Sequence, residues 1–133
     1  MTPFAALSAP FPAKEIDWRP GATNQAKTSA LALAYISARP VMDRLDEVMG
    51  PINWRDSYHV GPQGGVLCRL ELRFDGEWIA KEDGADNSEM EAVKGGLSDA
   101  FKRAAVKWGI GRYLYDLPNI WHPCEAYGKT IKL

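Results

Sequence analysis

The sequence predicts an α+β fold, a small antiparallel sheet with a β-β-β-α core and one long helix packed across it. The strands are predicted from Val66–Phe74, where every second residue is apolar and most of the others are charged. The helix is predicted from residues 88–117, where apolar residues recur at intervals of three and four. That helical stripe comprises Val93, Leu97, Phe101, Ala104 and Trp108. The two periods together indicate a sheet that a helix covers on one face.

A strand and a short helix are predicted before the central strand. Residues 30–36 alternate bulky side chains with alanine, which favours a strand, although an alanine-rich segment is also compatible with the start of a helix. The short helix is expected to begin at Arg39-Pro40, because proline suits a first helical position. It is expected to end at Gly50-Pro51.

The central strand belongs to a predicted run of three neighbouring strands. Residues 54–60 form the first of them, and the glycine-rich residues 61–65 form a turn. After Val66–Phe74, Asp75-Gly76 is typical of a two-residue hairpin turn, which leads into a strand over residues 77–81.

The long helix has sequence signals at both ends. Ser88 with Glu91 forms a capping box, which satisfies free backbone amides at a helix start. Gly109 and Gly111 are stop signals, because glycine tolerates the left-handed conformation in which many helices end.

The composition is that of one globular domain over residues 1–133, with 46% hydrophobic residues. No apolar stretch approaches the ~20 residues that a membrane span needs. The N-terminal segment lacks the basic region of a secretory signal and is interrupted by prolines. We therefore expect a cytoplasmic protein with reduced cysteines, with Cys68 in the core.

Positive charge is concentrated on the long helix. The formal net charge of the chain is -1, which gives no general affinity for polyanions. Between residues 99 and 112, however, the segment carries Lys102, Arg103, Lys107 and Arg112 against the single acid Asp99. Such cations suit a solvated face near the negative end of a helix dipole, and they also suit a surface that holds phosphate.

The same segment resembles the signature helix of the single-strand annealing proteins of the Rad-fifty-two type, with its order Phe101-Lys102-Arg103-Ala104 and then Trp108-Gly109. A second match lies in Ala34-Tyr35-Ile36 and, after the short helix, in Asn53-Trp54. The segments over residues 9–13 and 17–20 are similar to the bacterial DNA-damage-response protein A (DdrA) branch of that family. The resemblance covers residues 9–120.

The resemblance implies a function. Members of this family assemble into homo-oligomeric rings, hold single-stranded DNA in a basic groove and anneal complementary strands without ATP. It thus implies a nucleoid-associated protein of DNA repair and recombination, with a recombinase or a single-strand binding protein as a candidate partner. It implies neither an enzyme nor a cofactor. His59 and His122 lack the spacing of metal ligands, so no metal site is predicted.

The family's groove-lining Lys-Arg pair falls on Lys102 and Arg103, which we expect to clamp phosphates. The remaining DNA-binding candidates are displaced by one residue from the family's positions or follow the helix: Arg39 beside Pro40, Lys107 beside Val106, and Arg112. The family's second, outer DNA site falls near Phe74, with Arg73 and Lys81 as neighbouring candidates.

Three alternatives remain open at this stage. One is a protein that binds and protects 3′ single-stranded ends without annealing them, and another is a purely structural oligomerisation module. The third is a Mg²⁺-dependent nuclease that uses Asp83, Asp86 and Glu89, since carboxylates are ligands for Mg²⁺. Against the nuclease, Asp83-Gly84 is typical of a turn, and Glu89 lies in the first helical turn, where acids offset the helix dipole.

Overall fold

The structure is a computed structural model that describes residues 3–62, 64–85 and 92–133, with the backbone alone for residues 92–95. Short 3₁₀ helices occupy Ala13–Glu15 and Arg112–Asp116. The α-helices are α1 (Phe4–Leu7), α2 (Ala38–Met49) and α3 (Ala92–Lys107). The strands are β1 (Asp17–Thr23), β2 (Ser29–Tyr35), β3 (Trp54–Val60), β4 (Val66–Phe74), β5 (Glu77–Ala85), β6 (Trp121–Pro123), β7 (Glu125–Tyr127) and β8 (Thr130–Lys132).

The chain forms two compact units. The first unit comprises Met1–Pro10 and Ser37–Arg112, and the second comprises Phe11–Ile36 and Tyr113–Leu133. The elements confirm the predicted α+β class with small antiparallel sheets. No described helix has the length and apolar character of a membrane span.

The first unit contains the predicted β-β-β-α core. Strands β3, β4 and β5 pair antiparallel in that order, and α3 packs on β4 and β5. The predicted alternation of β4 is confirmed, because Cys68, Leu70 and Leu72 are fully buried. From α3, the buried side chains Phe101 and Trp108 complete this core.

The predicted hairpin turn is also confirmed. Asp75 and Gly76 join β4 to β5 with φ values of 49° and 80°. Two successive positive φ values match the twist of the flanking strands in a two-residue hairpin. Upstream, α2 ends at Met49 and Gly50 follows with a φ of 87°, as the glycine-proline stop predicted.

The predicted long helix over residues 88–117 is wrong in its C-terminal part. Helix α3 ends at Lys107, and Gly109 and Gly111 follow with φ values of 93° and 73°. The stop signals therefore act at the glycines themselves, and Arg112 lies beyond the helix in the 3₁₀ segment. The predicted capping residues Ser88 and Glu91 lie outside the described residues.

The last strand of the hairpin is longer than predicted. Strand β5 extends to Ala85 rather than ending at residue 81, and it pairs with the full length of β4. Asp83-Gly84, expected as a turn, is therefore part of a strand. The expectation failed because cross-strand pairing with Cys68 and Leu67 outweighs the local turn preference of an Asp-Gly pair.

The second unit holds elements that were mostly not predicted. Strand β2 confirms the strand expected over residues 30–36, and it pairs with β1 on one side and β6 on the other. Strands β7 and β8 form a separate hairpin. Strand β1 contains Pro20 and Gly21 and shifts register between Pro20 and Thr23, whereas β6, β7 and β8 have three residues each. Such strands are too short or too irregular to show a period of two.

Candidate nucleic-acid interface

Helix α3 turns its apolar side to the sheet and leaves its cations outside. Phe101, Ala104 and Trp108 are buried, whereas Arg103 and Lys107 are exposed. This division follows from the helical period, since residues three and four apart share one side of a helix.

Three cations from separate elements meet in one groove. Lys81 of β5, Lys107 of α3 and Arg112 of the 3₁₀ segment line a cavity of about 460 Å³, and Val106 and Glu82 complete its walls. We call this the Lys81–Lys107–Arg112 groove. Lys81 was expected at a second, outer DNA site, because the family's hairpin lysine falls near Phe74, and not in one site with Lys107 and Arg112.

Each lysine in the groove has a fixed position. The ammonium nitrogen of Lys81 lies 5.0 Å from the centroid of the Trp108 ring, within the range of a cation–π contact. The indole nitrogen of Trp108 donates a hydrogen bond to the backbone oxygen of Leu70 at 3.2 Å, which holds the ring in place. Lys107 Nζ donates to the backbone oxygen of Glu82 on β5.

The groove keeps its positive charge. Among the described residues, Lys81, Lys107 and Arg112 form no ion pair. Glu82 also lines the groove, but its carboxylate contacts the other face of the sheet, where Glu82 Oε1 lies 3.2 Å from His59 Nε2. Oriented cations without an acidic partner suit an anionic ligand such as phosphate.

The predicted Lys102–Arg103 pair is divided by the helix. Lys102 Nζ lies 3.7 Å from Asp99 Oδ1, one turn earlier on α3, and its side chain is 28% exposed. Arg103 points instead into a second cleft of about 450 Å³, which is also lined by Pro62, Leu67 and Gly84. Consecutive helical residues project about 100° apart, so the two side chains do not share one pocket.

The other predicted site residues lie elsewhere in the first unit. Arg39 is exposed in the first turn of α2, and the contacts of the described residues do not bring it to the groove. Arg73 pairs with Trp78 in the β4–β5 register, whereas Lys81 pairs with Leu70 of the helix-covered face. The two candidates for a second DNA site therefore lie on opposite faces of the sheet.

Arg55 and Trp78 were not predicted as site residues, and both lie on the sheet face that α3 leaves uncovered. The Arg55 guanidinium carbon lies 4.0 Å from the centroid of the Trp78 ring, and that of Arg73 lies 5.7 Å from it. The alternation of β3 and β4 could have placed Arg55 with Arg69 and Arg73, since residues two apart on a strand share a face.

The carboxylates proposed for a nuclease do not form a described metal site. Asp83 Oδ1 accepts a hydrogen bond from the backbone amide of Gly84 at 2.7 Å. Asp86 and Glu89 lie outside the described residues. Within the part of the chain that the structure describes, no three histidine, cysteine, aspartate or glutamate side chains are grouped as metal ligands.

Comparisons with known proteins support the resemblance found in the sequence. The model of the Rad52/22 family, described as double-strand break repair proteins, matches residues 4–132. The single-stranded DNA-binding protein DdrA of Deinococcus radiodurans is 44% identical over 117 residues, which is 86% of this chain and 55% of that protein. The protein of the same name from Deinococcus deserti is also 44% identical over 117 residues, with 57% of its length covered.

The chain thus spans little more than half the length of these curated relatives. No solved structure matches it with significance. The predicted likeness to the DdrA branch is confirmed, and neither the family's description nor the relatives' names denote an enzyme.

Proposed function

We propose that this chain, which belongs to the Rad52/22 family of double-strand break repair proteins, binds single-stranded DNA along its cationic helix and promotes annealing without ATP. Its relatives from two Deinococcus species are named as single-stranded DNA-binding proteins. The observation that carries the proposal is the convergence of Lys81, Lys107 and Arg112 on one groove, with no ion pair among the described residues.

The groove and Arg103 form the proposed phosphate path. Arg112 and Arg103 can each hold two phosphate oxygens with a planar guanidinium, whereas Lys81 and Lys107 provide point charges. Lys102 is expected to contribute less, because Asp99 lies within ion-pair distance of it. Lys102 and Arg103 are thus only one part of the proposed phosphate path, which continues to the Lys81–Lys107–Arg112 groove at the C-terminal end of α3.

Annealing is compatible with this chemistry. Contacts to phosphate position a strand without reading its sequence, so the bases remain free to pair with a complementary strand. Pairing itself supplies the driving force, and no nucleotide hydrolysis is needed. Protection of 3′ ends is the other outcome that the same groove supports, because a bound strand is shielded whether or not it is then paired.

A closed ring of subunits is part of the proposal. Strand β4 lies between β3 and β5, and within the described residues neither outer strand has a second neighbour. Open edges tend to pair with other chains unless they are covered. Cyclic assembly satisfies such edges through identical neighbours and places one groove on each subunit.

The test is the binding of a labelled single-stranded oligonucleotide across a salt series. For single strands the log–log slope is about -0.7 per phosphate contact, so Lys107→Ala/Arg112→Ala should flatten it by about 1.4. Lys102→Ala/Arg103→Ala should flatten it by about half as much, since only Arg103 is free of a described ion pair. Lys14→Ala/Lys129→Ala, which removes two exposed cations of the second unit, is the charge-matched control.

Three results would contradict parts of the proposal. If the salt-dependence slope of Lys107→Ala/Arg112→Ala equals that of the wild type, the DNA does not contact this groove. Binding without any increase in annealing of complementary oligonucleotides, together with protection of 3′ ends from an exonuclease, would favour end protection. Degradation of the oligonucleotide only when Mg²⁺ is present would instead support the nuclease.

A further inference from the structure

The face of the β3–β4–β5 sheet away from α3 carries an ordered array of arginines. The residues of this outer sheet face alternate in register with the buried ones: Arg55, Ser57 and His59 of β3, Leu67, Arg69, Glu71 and Arg73 of β4, and Trp78, Ala80 and Glu82 of β5. No described helix covers it, and the side chains of Arg55 and Arg69 are 56% and 51% exposed.

The array is held by one indole ring and one carboxylate. Arg55 lies over Trp78 at 4.0 Å, and Arg73 approaches the same ring at 5.7 Å. Glu71 accepts hydrogen bonds from Arg55 at 2.9 and 3.2 Å and from Arg69 at 2.9 Å. Because these contacts fix the guanidinium planes in advance, a ligand loses less entropy in binding them.

Positive charge on this face is only partly neutralised. Arg73 has no carboxylate partner among the described residues, and Arg69 contacts Glu71 through Nε alone, so its terminal nitrogens are not used in a described contact. The second acid of the face, Glu82, lies against His59 at 3.2 Å. The free donors are therefore at Arg69 and Arg73, with Glu71 between them on β4.

We propose that the outer sheet face docks an extended acidic peptide segment of a partner protein. Arg69 and Arg73 are four residues apart on one strand, about 14 Å at ~3.4 Å per residue. Two carboxylates at positions i and i+4 of an extended peptide have the same separation. An uncharged residue at i+2 would then face Glu71.

The same features disfavour nucleic acid on this face. A polynucleotide carries a charge at every phosphate and cannot avoid Glu71, whereas a peptide can place an uncharged residue there. Arg55 lies over one face of the Trp78 ring, which reduces the surface available for stacking a base. Charge complementarity with a patterned acidic peptide is the better match.

The test is fluorescence anisotropy with short labelled peptides and the full chain. One peptide carries glutamates at i and i+4 with serine and threonine elsewhere, a second carries glutamines at those positions, and a third has an added glutamate at i+2. We expect the first peptide to bind most tightly, the glutamine peptide to bind at least about tenfold more weakly, and the added glutamate to bring no gain.

Substitutions of Arg69 and Arg73 test whether the peptide binds to the outer sheet face. Arg69→Gln/Arg73→Gln should weaken the first peptide about tenfold or more, and Lys14→Gln/Lys129→Gln should leave its affinity unchanged. Arg69→Glu/Arg73→Glu should bind a peptide with lysines at i and i+4 instead. Arg69→Gln also removes one hydrogen bond to Glu71, whereas Arg73→Gln alone breaks no described ion pair. The single variant Arg73→Gln should therefore weaken the first peptide while leaving the thermal unfolding midpoint nearly unchanged.

Either of two results would overturn the proposal. The first is peptide binding that is absent or indifferent to the arginine variants. The second is a loss of single-stranded DNA affinity in Arg69→Gln/Arg73→Gln as large as that of the groove variant, which would make the outer sheet face a nucleic-acid surface.

Discussion

Individual charges on this chain differ in how far their neighbours neutralise them. Lys102 lies within ion-pair distance of Asp99. Lys107 instead donates a hydrogen bond to a backbone oxygen, which does not neutralise its charge. Burial acts on another side chain: it raises the pKa of the Cys68 thiol to about 12, so that this group remains a neutral core residue. A count of charges in the sequence would treat the two lysines alike.

The hydrogen bonds of Glu71 predict how the stability of the fold changes at acid pH. Hydrogen bonds from Arg55 and then Arg69 lower the pKa of its carboxyl below the ordinary value of 4.5. A carboxyl whose pKa is lower in the folded state stabilises the fold above that ordinary value, and the contribution is lost as the pH falls through the lowered one. The unfolding midpoint of the wild type should therefore fall on acidification below about pH 4.5, and less steeply in Glu71→Gln.

Thermal unfolding followed by circular dichroism between neutral and acid pH measures this difference. Glu77→Gln removes one exposed carboxylate from the same hairpin and controls for net charge. Parallel acid profiles for the wild type and Glu71→Gln would show that the arginine contacts contribute nothing to stability.

Among the elements, the end of α3 decides the shape of the groove. The glycines after Lys107 turn the chain, so that Arg112 reaches the same groove as the lysine that ends the helix. At Gly109 the φ is 93°, and a Cβ there would lie 3.2 Å from the Cβ of Ser8. The position therefore needs glycine for its conformation and for its close neighbour.

Gly109→Ala should destabilise the fold by about 2 kcal/mol, because an L-residue in the left-handed region costs about 1–2 kcal/mol and the contact with Ser8 adds to it. Chemical denaturation measures the change. Gly128→Ala, with a φ of 64° and no atom within 4 Å of the added Cβ, isolates the conformational part. Equal losses in the two variants would mean that Ser8 adds no strain.

Element prediction succeeded where side-chain periods were long enough to detect. The bounds predicted for the first two strands of the core agree with those of β3 and β4, and α2 lies within a residue of its predicted start. It failed for β6, β7 and β8, whose three residues show no alternation, and for the extension of β5, which depends on pairing with β4. Pairing partners are not local, so a single strand's sequence does not reveal them.

For the whole molecule, the proposed ring predicts a closed homo-oligomer. Val60 and Ile79 lie on the two outer strands of the β3–β4–β5 sheet and are 77% and 45% exposed. Lysines on outer strands discourage edge pairing, because a buried charge without a partner is costly. Val60→Lys/Ile79→Lys should therefore lower the mass found by size-exclusion light scattering, with Ile52→Lys, 78% exposed and outside the strands, as the control.

A wild-type chain that is a monomer and still anneals complementary strands would contradict the ring while leaving the groove intact. An oligomer whose mass is unaffected by the two lysines would place the subunit contacts away from these edges. The single domain expected over residues 1–133 stays a prediction, and the family match over residues 4–132 is compatible with it.

The sequence by itself determined the α+β class, the hairpin, the helix stop at Gly109 and membership of the family, because periods, turn residues and motifs are local patterns. It also supplied the cations. Only the tertiary structure decided which of them lie together: Lys81 lines one groove with Lys107 and Arg112, Arg103 lines another cleft, and Arg73 lies on the opposite face of the sheet from Lys81. The physical reason is that a groove forms between elements, and the distance between side chains of different elements is set by packing rather than by their spacing along the chain.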